Sequence, residues 1–382
     1  MTGFTRLVFS ALASFAIHQS VMAAPSPPPP ALSPVVAEQA AEKIAPYVPR
    51  FGRSRPLIAV VGENTGTVLS DYVIPYGVLA QSGVADVVSL GTQAGALKMA
   101  PLTINPEHTV ASFDHLYPDG ADYVIVPAVN KRDDPTLVAW VTAQARKGAT
   151  MVSICNGSLV LATAGLTRGH RATGHWSTHR KRLADFPDTQ WLKDRRYVAD
   201  RKVVSSAGIT AAIPVSIALV EAIAGTVRAQ ALAGQLGVDY WGPRHDSDAF
   251  SLTLGDWMSA FKATLFHARE ELGVPVAAGV DEISLALTAE AYHATLRSSV
   301  YTLAQSGDPV RTRSGLMLVP DRVAGQGKPV DRLLPEWDGT SSGQVPDQVL
   351  TDINTRFGAA AARFVVLEWE YPWRAGTTAP SN

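Results

Sequence analysis

A single cysteine, Cys155, occurs in 382 residues, so it cannot be half of a disulfide within the chain. Neither sign of charge dominates. Lys and Arg number 33 against 34 Asp and Glu, a formal net charge of −1. That balance gives no electrostatic case for binding nucleic acid or an anionic membrane. The nine histidines are scattered, with no Cys/His ligand spacing and no His-Glu-x-x-His run. The sequence therefore asks for no metal, and no other motif asks for a cofactor. Beyond the first two dozen residues no uninterrupted apolar stretch reaches membrane-spanning length.

What is present is organised around Gly148–Ala162, GATMVSICNGSLVLA. An apolar, β-branched run stops at Cys155, a small polar patch follows, and an apolar segment with helical spacing comes next. That order reads as strand, sharp turn and helix, with the cysteine at the turn. The strand end and the amino terminus of the following helix both favour thiolate over thiol. A lone cysteine is equally well a small buried hydrophobe, and position alone does not choose between the two.

Residues 1–24 have the form of a secretory leader. Arg6 precedes an almost wholly apolar or small run from Leu7 to Ile17, and Val21-Met22-Ala23 fits a small-x-small cleavage pattern. The expectation is a periplasmic or secreted protein without a membrane span after cleavage; an uncleaved anchor is the alternative. Residues 25–35, with Pro25-Ser26-Pro27-Pro28-Pro29-Pro30, read as an extended linker.

Helical spacing from Val36 to Tyr47 predicts a short leading helix. Leu57-Ile58-Ala59-Val60-Val61-Gly62 reads as a buried parallel strand, and Asp71 opens the next helix, where a carboxylate also suits a plain cap. Val87–Leu90 and Asp122–Pro127 are further strands. Leu102–Ile104 with Thr109-Val110 is a short excursion. Leu137–Ala145 is an amphipathic helix, Arg171–Trp176 a short edge, Val203–Gly208 a strand and Val215–Ala224 a helix. This alternation predicts an α/β fold, a doubly wound and largely parallel sheet whose reactive groups gather at the carboxyl ends of its strands.

Three segments resemble the ThiJ/PfpI superfamily, the class I glutamine amidotransferase-like fold, over residues 57–245. They are Asp71-Tyr72-Val73-Ile74-Pro75, then Ser153-Ile154-Cys155-Asn156-Gly157 with Leu161–Leu166, and Arg171–Trp176 with Ser206–Thr210 and Ala218–Gly225. The flavour is that of isonitrile hydratases and of the amidase-like domains of AraC-type regulators. The resemblance implies Cys155 as nucleophile, Asp71 as proton donor and acceptor with a raised pKa, and His175 as a residue that orients Cys155 or serves as a second base. A structural histidine beside Trp176 is the other reading of His175. It implies Asn156, Ala128, Val129 and Gly208 as oxyanion or substrate-binding positions. Ala128-Val129 stands where the superfamily usually has Gly-Gly, and Asn156 where hydratases have Thr and peptidase-like members His. Asn cannot act as a general base, so peptidase chemistry through that neighbour is disfavoured. Glu63 ranks below Asp71 as the acid, and Trp176, Tyr76 and Trp241 either line a pocket or belong to the core.

The chain thus divides into a leader (1–24), a linker (25–35), a ThiJ/PfpI-like domain (36–245), a connecting segment (246–275) with a helix around Trp257–Phe266, a second lobe (276–375) and a tail (376–382). The second lobe echoes the first. Val280–Leu287 resembles the region of Asp71, Val300–Leu303 with Val310–Leu316 resembles the second strand and its hairpin, and Phe357–Trp373 resembles Ala229–Trp241. With no cysteine it cannot repeat the site, and Lys328–Pro346 reads as a loop where the missing core would be. Its expected role is to mimic a second subunit, giving an intramolecular pseudo-dimer; a homodimer and an unrelated appendage are the alternatives. No helix-turn-helix pair is read before Asn382, which with export speaks against a transcription factor. The functional expectation is an exported, cysteine-dependent hydratase or hydrolase of a small molecule. The alternative is a non-catalytic small-molecule-binding or redox-sensing protein.

Overall fold

The computed structural model describes residues 42–253, 255–256, 269–337 and 339–373. The leader, the linker and the helix expected around Trp257–Phe266 lie outside them. The leading helix expected over 36–47 is absent in its described part, where Glu42–Tyr47 form no helix. Pro46 breaks the helical bonding, and the buried Glu42 carboxylate is tied instead to Arg171 and the Ala199 amide.

The first lobe runs β1 (Leu57–Gly62), α1 (Leu69–Ser82), β2 (Asp86–Gly91), β3 (Leu97–Met99), β4 (Leu102–Asn105), β5 (His108–Thr109), α2 (Val110–Leu116), β6 (Tyr123–Val126), α3 (Pro135–Arg146), β7 (Thr150–Ser153) and α4 (Gly157–Thr163). It continues with β8 (Arg171–Ala172), α5 (His179–Asp185), β9 (Gln190–Trp191), β10 (Tyr197–Asp200), β11 (Val203–Ser206), α6 (Ala212–Ala224) and α7 (Thr226–Leu236). Seven strands form one sheet in the order β10-β11-β7-β6-β1-β2-β5, parallel except where β10 meets β11. Each central strand buries both faces, which explains its unbroken apolar run. Ile58, Val60, Ile125 and Val152 pack with Ile74 of α1 and Ile217 of α6. Ala59, Val61, Val124 and Met151 face the other way, onto Phe113 of α2 and Trp140 of α3. The sheet is doubly wound, as the alternation of elements implied. Helix α2 begins at Val110, where the sequence suggested only a short excursion. It is started by a capping box in which Thr109 and Ser112 satisfy each other's backbone amides, a version built from two short hydroxyls instead of the more recognisable Glu or Gln.

The second lobe is an α/β unit of β12 (Glu270–Pro275), α8 (Glu282–Ala294), β13 (Ser298–Ala304), β14 (Val310–Arg311), β15 (Met317–Leu318), β16 (Arg322–Val323), β17 (Arg332–Leu333), α9 (Val345–Phe357) and α10 (Ala359–Trp369). Its strands β12 and β13 pair in parallel, as β1 and β2 do. β12, α8 and β14 each begin 213 residues after β1, α1 and β3, at 270 against 57, 282 against 69 and 310 against 97. The helix pair α9–α10 reproduces α6–α7. Gly225 and Gly358 join the two pairs with φ/ψ of 84°/168° and 85°/167°. The last echo is therefore in a different register from the one read in the sequence. Gly358 corresponds to Gly225 and Glu370 to Gly237, because the joining glycine fixes the frame. Among the described residues no cysteine turn and no strand longer than two residues follows β15; the chain crosses to α9 through loops and the short β16 and β17.

The lobes meet as two copies would. Strand β4 pairs antiparallel with β15, Ile104 opposite Leu318 and Asn105 opposite Met317. Each pair matches a residue with the counterpart of its neighbour, the signature of a local two-fold axis. Helix α1 crosses α8 at Gly77, where a Cβ would lie 2.8 Å from both Glu282 Oε1 and Ile283 Cγ1; only glycine permits that approach. No helix among the described residues is long and apolar enough to cross a membrane.

Candidate active site

Strand β7 ends at Ser153, and Cys155 follows with φ of 54°, a left-handed conformation that is strained for a side chain of this kind. The turn is held tight because Gly157 presses on the strand next door. A Cβ there would stand 2.0 Å from the Val126 carbonyl oxygen. Sequence order, strain and close approach together make the elbow that was read from the apolar run ending at Cys155.

Asp71 lies in the first turn of α1 but caps nothing on its own helix. Val68 is the N-cap residue and makes no side-chain bond. The Asp71 carboxyl is fully buried, accepts the Ala128 amide at 3.0 Å through Oδ2, and interacts with the Cys155 thiol. Burial, then the charge of Glu290, pushes its pKa well above the ordinary carboxylate range. Glu290 comes from α8. Its carboxylate accepts the Ser70 amide at 2.9 Å and, mainly through burial, titrates at about 7.

Cys155 itself departs from the expected thiolate. The residue is 6% exposed, and burial, then the neighbouring Asp71 and Glu370 carboxylates, raise its pKa well above that of a free thiol. The Asn156 amide works in the opposite direction but does not prevail. Strand end and helix start alone favour ionisation; enclosure among acids outweighs them. Asp71 and Cys155 thus form a coupled pair that keeps at least one proton through neutral pH.

The other sequence-derived positions are drawn into different bonds. His175 offers neither nitrogen to the thiol. Nδ1 meets Ser177 Oγ at 2.7 Å, and Nε2 meets the Glu368 carbonyl of α10 at 3.1 Å. A carbonyl only accepts, so Nε2 carries the hydrogen, and the ring joins the lobes, which is the structural reading of this residue. The Asn156 side chain accepts from Thr178 Oγ1 at 2.6 Å. The Ala128 amide is spent on Asp71, so it is not an open oxyanion donor, and Val129 sits in a short antiparallel bridge with Thr67. Gly208 donates its amide at 2.7 Å to Glu370 Oε2. Glu63 bonds the amide and hydroxyl of Thr65, Tyr76 the Ser314 carbonyl and Trp241 the Glu221 carboxylate.

Sequence reasoning missed the residues that the second lobe brings in. Glu370, 2% exposed, also accepts the Trp176 amide and bonds His245 Nε2 at 3.1 Å. Burial alone would raise its pKa, but the His245 bond, the His175 and His245 imidazoles and the Gly208 amide hold it below the usual value. Arg182 is the buried cation of this region, its pKa lowered to about 10 by burial. It spends its guanidinium on the His175 and Gly174 carbonyls and on Thr178. Beside this cluster a cleft of about 210 Å³ opens between the lobes, lined among others by Ile74, Arg196, Gly208, His245, Leu287 and Glu370. No group of His, Cys, Asp and Glu among the described residues is arranged to hold a metal.

Residues 58–222 match the model of the DJ-1/PfpI family. An isonitrile hydratase of Pseudomonas putida is 36% identical over 106 residues, 27% of this chain and 44% of that protein. The HTH-type transcriptional regulator CdhR of Pseudomonas aeruginosa is 33% identical over 112 residues, 29% of this chain and 33% of the regulator. The match spans less than half the length of either relative. Among solved structures, Drosophila melanogaster DJ-1beta aligns with a TM-score of 0.44 and 22% identity, over 49% of this chain and 100% of that one. A ThiJ/PfpI family protein from Pseudomonas syringae aligns with a TM-score of 0.44 and 24% identity, over 51% and 83%.

Proposed function

We propose that this chain, whose residues 58–222 match the DJ-1/PfpI family model, is an exported enzyme that adds water to a small carbon–nitrogen substrate, in the manner of an isonitrile hydratase. Cys155 is the nucleophile and Asp71 moves the protons. The observation that carries this reading is the strained Cys155 turn with a buried, proton-holding Asp71 carboxyl against it. A general acid of raised pKa is what such an addition needs near neutral pH.

With an isocyanide, the Cys155 sulfur bonds to the terminal carbon, and that carbon gains a proton while the thiol loses one. The product is a thioimidate. Water then adds to the same carbon, the nitrogen takes a proton, and the carbon–sulfur bond breaks. One water is consumed, an N-substituted formamide leaves and the thiol is restored. Asp71, whose burial holds its pKa well above the ordinary carboxylate range, keeps a proton beside the sulfur and delivers and removes these protons. The test is to follow formamide production from simple alkyl and aryl isocyanides, with Cys155→Ala as control. Turnover lost in Cys155→Ala supports the reading; no turnover by the wild type contradicts it. Export is proposed from residues 1–24, and the amino-terminal sequence of protein recovered outside the cytoplasm tests it.

A second reading is favoured by the closure of the site. The Ala128 and Gly208 amides both already serve carboxylates of the chain. A protein that binds a small ligand between its lobes without turning it over fits that closure. Ligand binding unchanged in Cys155→Ala would select this reading.

A further inference from the structure

Glu370 ends α10 with φ/ψ of 52°/44°, a left-handed conformation that its counterpart Gly237 adopts at no steric cost. A glutamate held there carries strain that a glycine would relieve. Its side chain reaches across the lobe boundary. Gly208 lies just beyond the end of β11, the strand beside the one that leads to Cys155. A Cβ on Gly208 would stand 2.8 Å from Glu370 Cβ, so the approach depends on that glycine. Two backbone amides, Gly208 and Trp176, and the His245 imidazole converge on the carboxylate. The same carboxylate lines the inter-lobe cleft, and its charge is felt at Cys155. Neither Cys155 nor Asp71 lines the cleft. Arg182, the nearby buried cation, spends its terminal nitrogens on the His175 and Gly174 carbonyls and on Thr178, not on the Glu370 carboxylate.

Three donors around one point beside a nucleophile make a carboxylate-binding site, and the chain fills it with its own carboxylate. We propose that Glu370 is a specificity-determining residue of the Cys155 site: it occupies the donors that would receive a substrate carboxylate, so the site admits uncharged molecules and rejects carboxylates. The inference rests on Cys155 as the reacting atom of the site, and it names the substrate class that reaches it. An entering carboxylate meets a fixed like charge and finds these three donors taken, whereas an uncharged molecule does not meet that repulsion.

The experiment compares alkylation of Cys155 by iodoacetamide and iodoacetate, followed by mass spectrometry of the folded, full-length protein. Glu370→Gln keeps the shape and removes the charge. Glu370→Gly also relieves the backbone and empties the three donors. Relative to a free thiol, the wild type is expected to favour the uncharged reagent by about tenfold or more. Both variants should bring that preference back toward the free-thiol ratio, and acetate should protect Cys155 only in Glu370→Gly. An unchanged preference in both variants overturns the proposal, and so does a Cys155 that neither reagent labels in Glu370→Gly. Isocyanide hydration is measured separately. Its absence together with a shifted preference would sink the enzymatic reading and leave the role of Glu370 standing.

Discussion

The Gly208 amide donates to the Glu370 carboxylate at 2.7 Å, joining the end of the last parallel strand of one lobe to the last helix of the other. Besides this bond and the Ser70–Glu290 bond, the lobe without a cysteine brings the Glu290 and Glu370 carboxylates, whose charges add to burial in raising the pKa values of Asp71 and Cys155, respectively. The second lobe thus contributes to the candidate site as well as to the fold. Four measurements probe that arrangement.

Gly157→Ala should collapse the elbow. The new Cβ would fall 2.0 Å from the Val126 carbonyl oxygen, and backbone cannot give way as a flexible side-chain tip does. We expect a loss of about 3 kcal/mol of stability or more, read as a lower denaturant midpoint. A change within about 0.5 kcal/mol, the range of an ordinary surface substitution, would mean that the turn is looser than described.

Glu290 makes stability depend on pH with a definite sign. Its pKa rises from 4.5 to about 7 on folding, chiefly through burial, so the folded state holds the proton more tightly than the unfolded one. Its contribution is therefore most favourable below pH 4.5 and is lost as pH rises toward 7. The whole effect is about 3 kcal/mol. Unfolding of wild type and Glu290→Gln at pH 4 and pH 8 should show the gap between them shifting by that order, with the variant gaining at high pH. A gap independent of pH would contradict the buried placement of this carboxyl.

His175→Ala should weaken the lobe junction without touching the nucleophile's titration. The ring gives one hydrogen to the Glu368 carbonyl and receives from Ser177. Its loss should cost about 1–3 kcal/mol of stability. The pH profile of Cys155 alkylation should keep its inflection. If that inflection moved, His175 would be acting on the thiol and not as a joint.

Much of the first lobe was legible because its signals are local. The unbroken apolar run Leu57–Gly62 reports burial on two faces, and the break at Cys155 reports the elbow. Asp71 was found by its place in a first turn and by family resemblance. The pairing of the lobes was partly legible, since Val280–Leu287 and the hairpin near Val310 keep enough pattern. Glu370, Glu290 and His245 left no such trace. A glutamate at the end of one helix says nothing of the amide it will meet in another lobe, and no periodicity records it. The raised pKa of Cys155 was illegible for the same reason, because the burial that chiefly imposes it and the acids that add to it come from elements distant in sequence. For His175 the sequence left a site role and a structural one open, since a histidine near a cysteine in the chain can still turn both nitrogens to other partners, as it does here.

The central claim is that Asp71 and Cys155 titrate as one buried pair. Its most direct test is the rate of Cys155 alkylation by iodoacetamide as a function of pH, in wild type and Asp71→Asn. The account predicts a wild-type thiol that ionises above the free value and, with the neighbouring charge removed, a lower apparent pKa in the variant, with alkylation at a given alkaline pH faster by about tenfold. Superimposable profiles for the two proteins would contradict it.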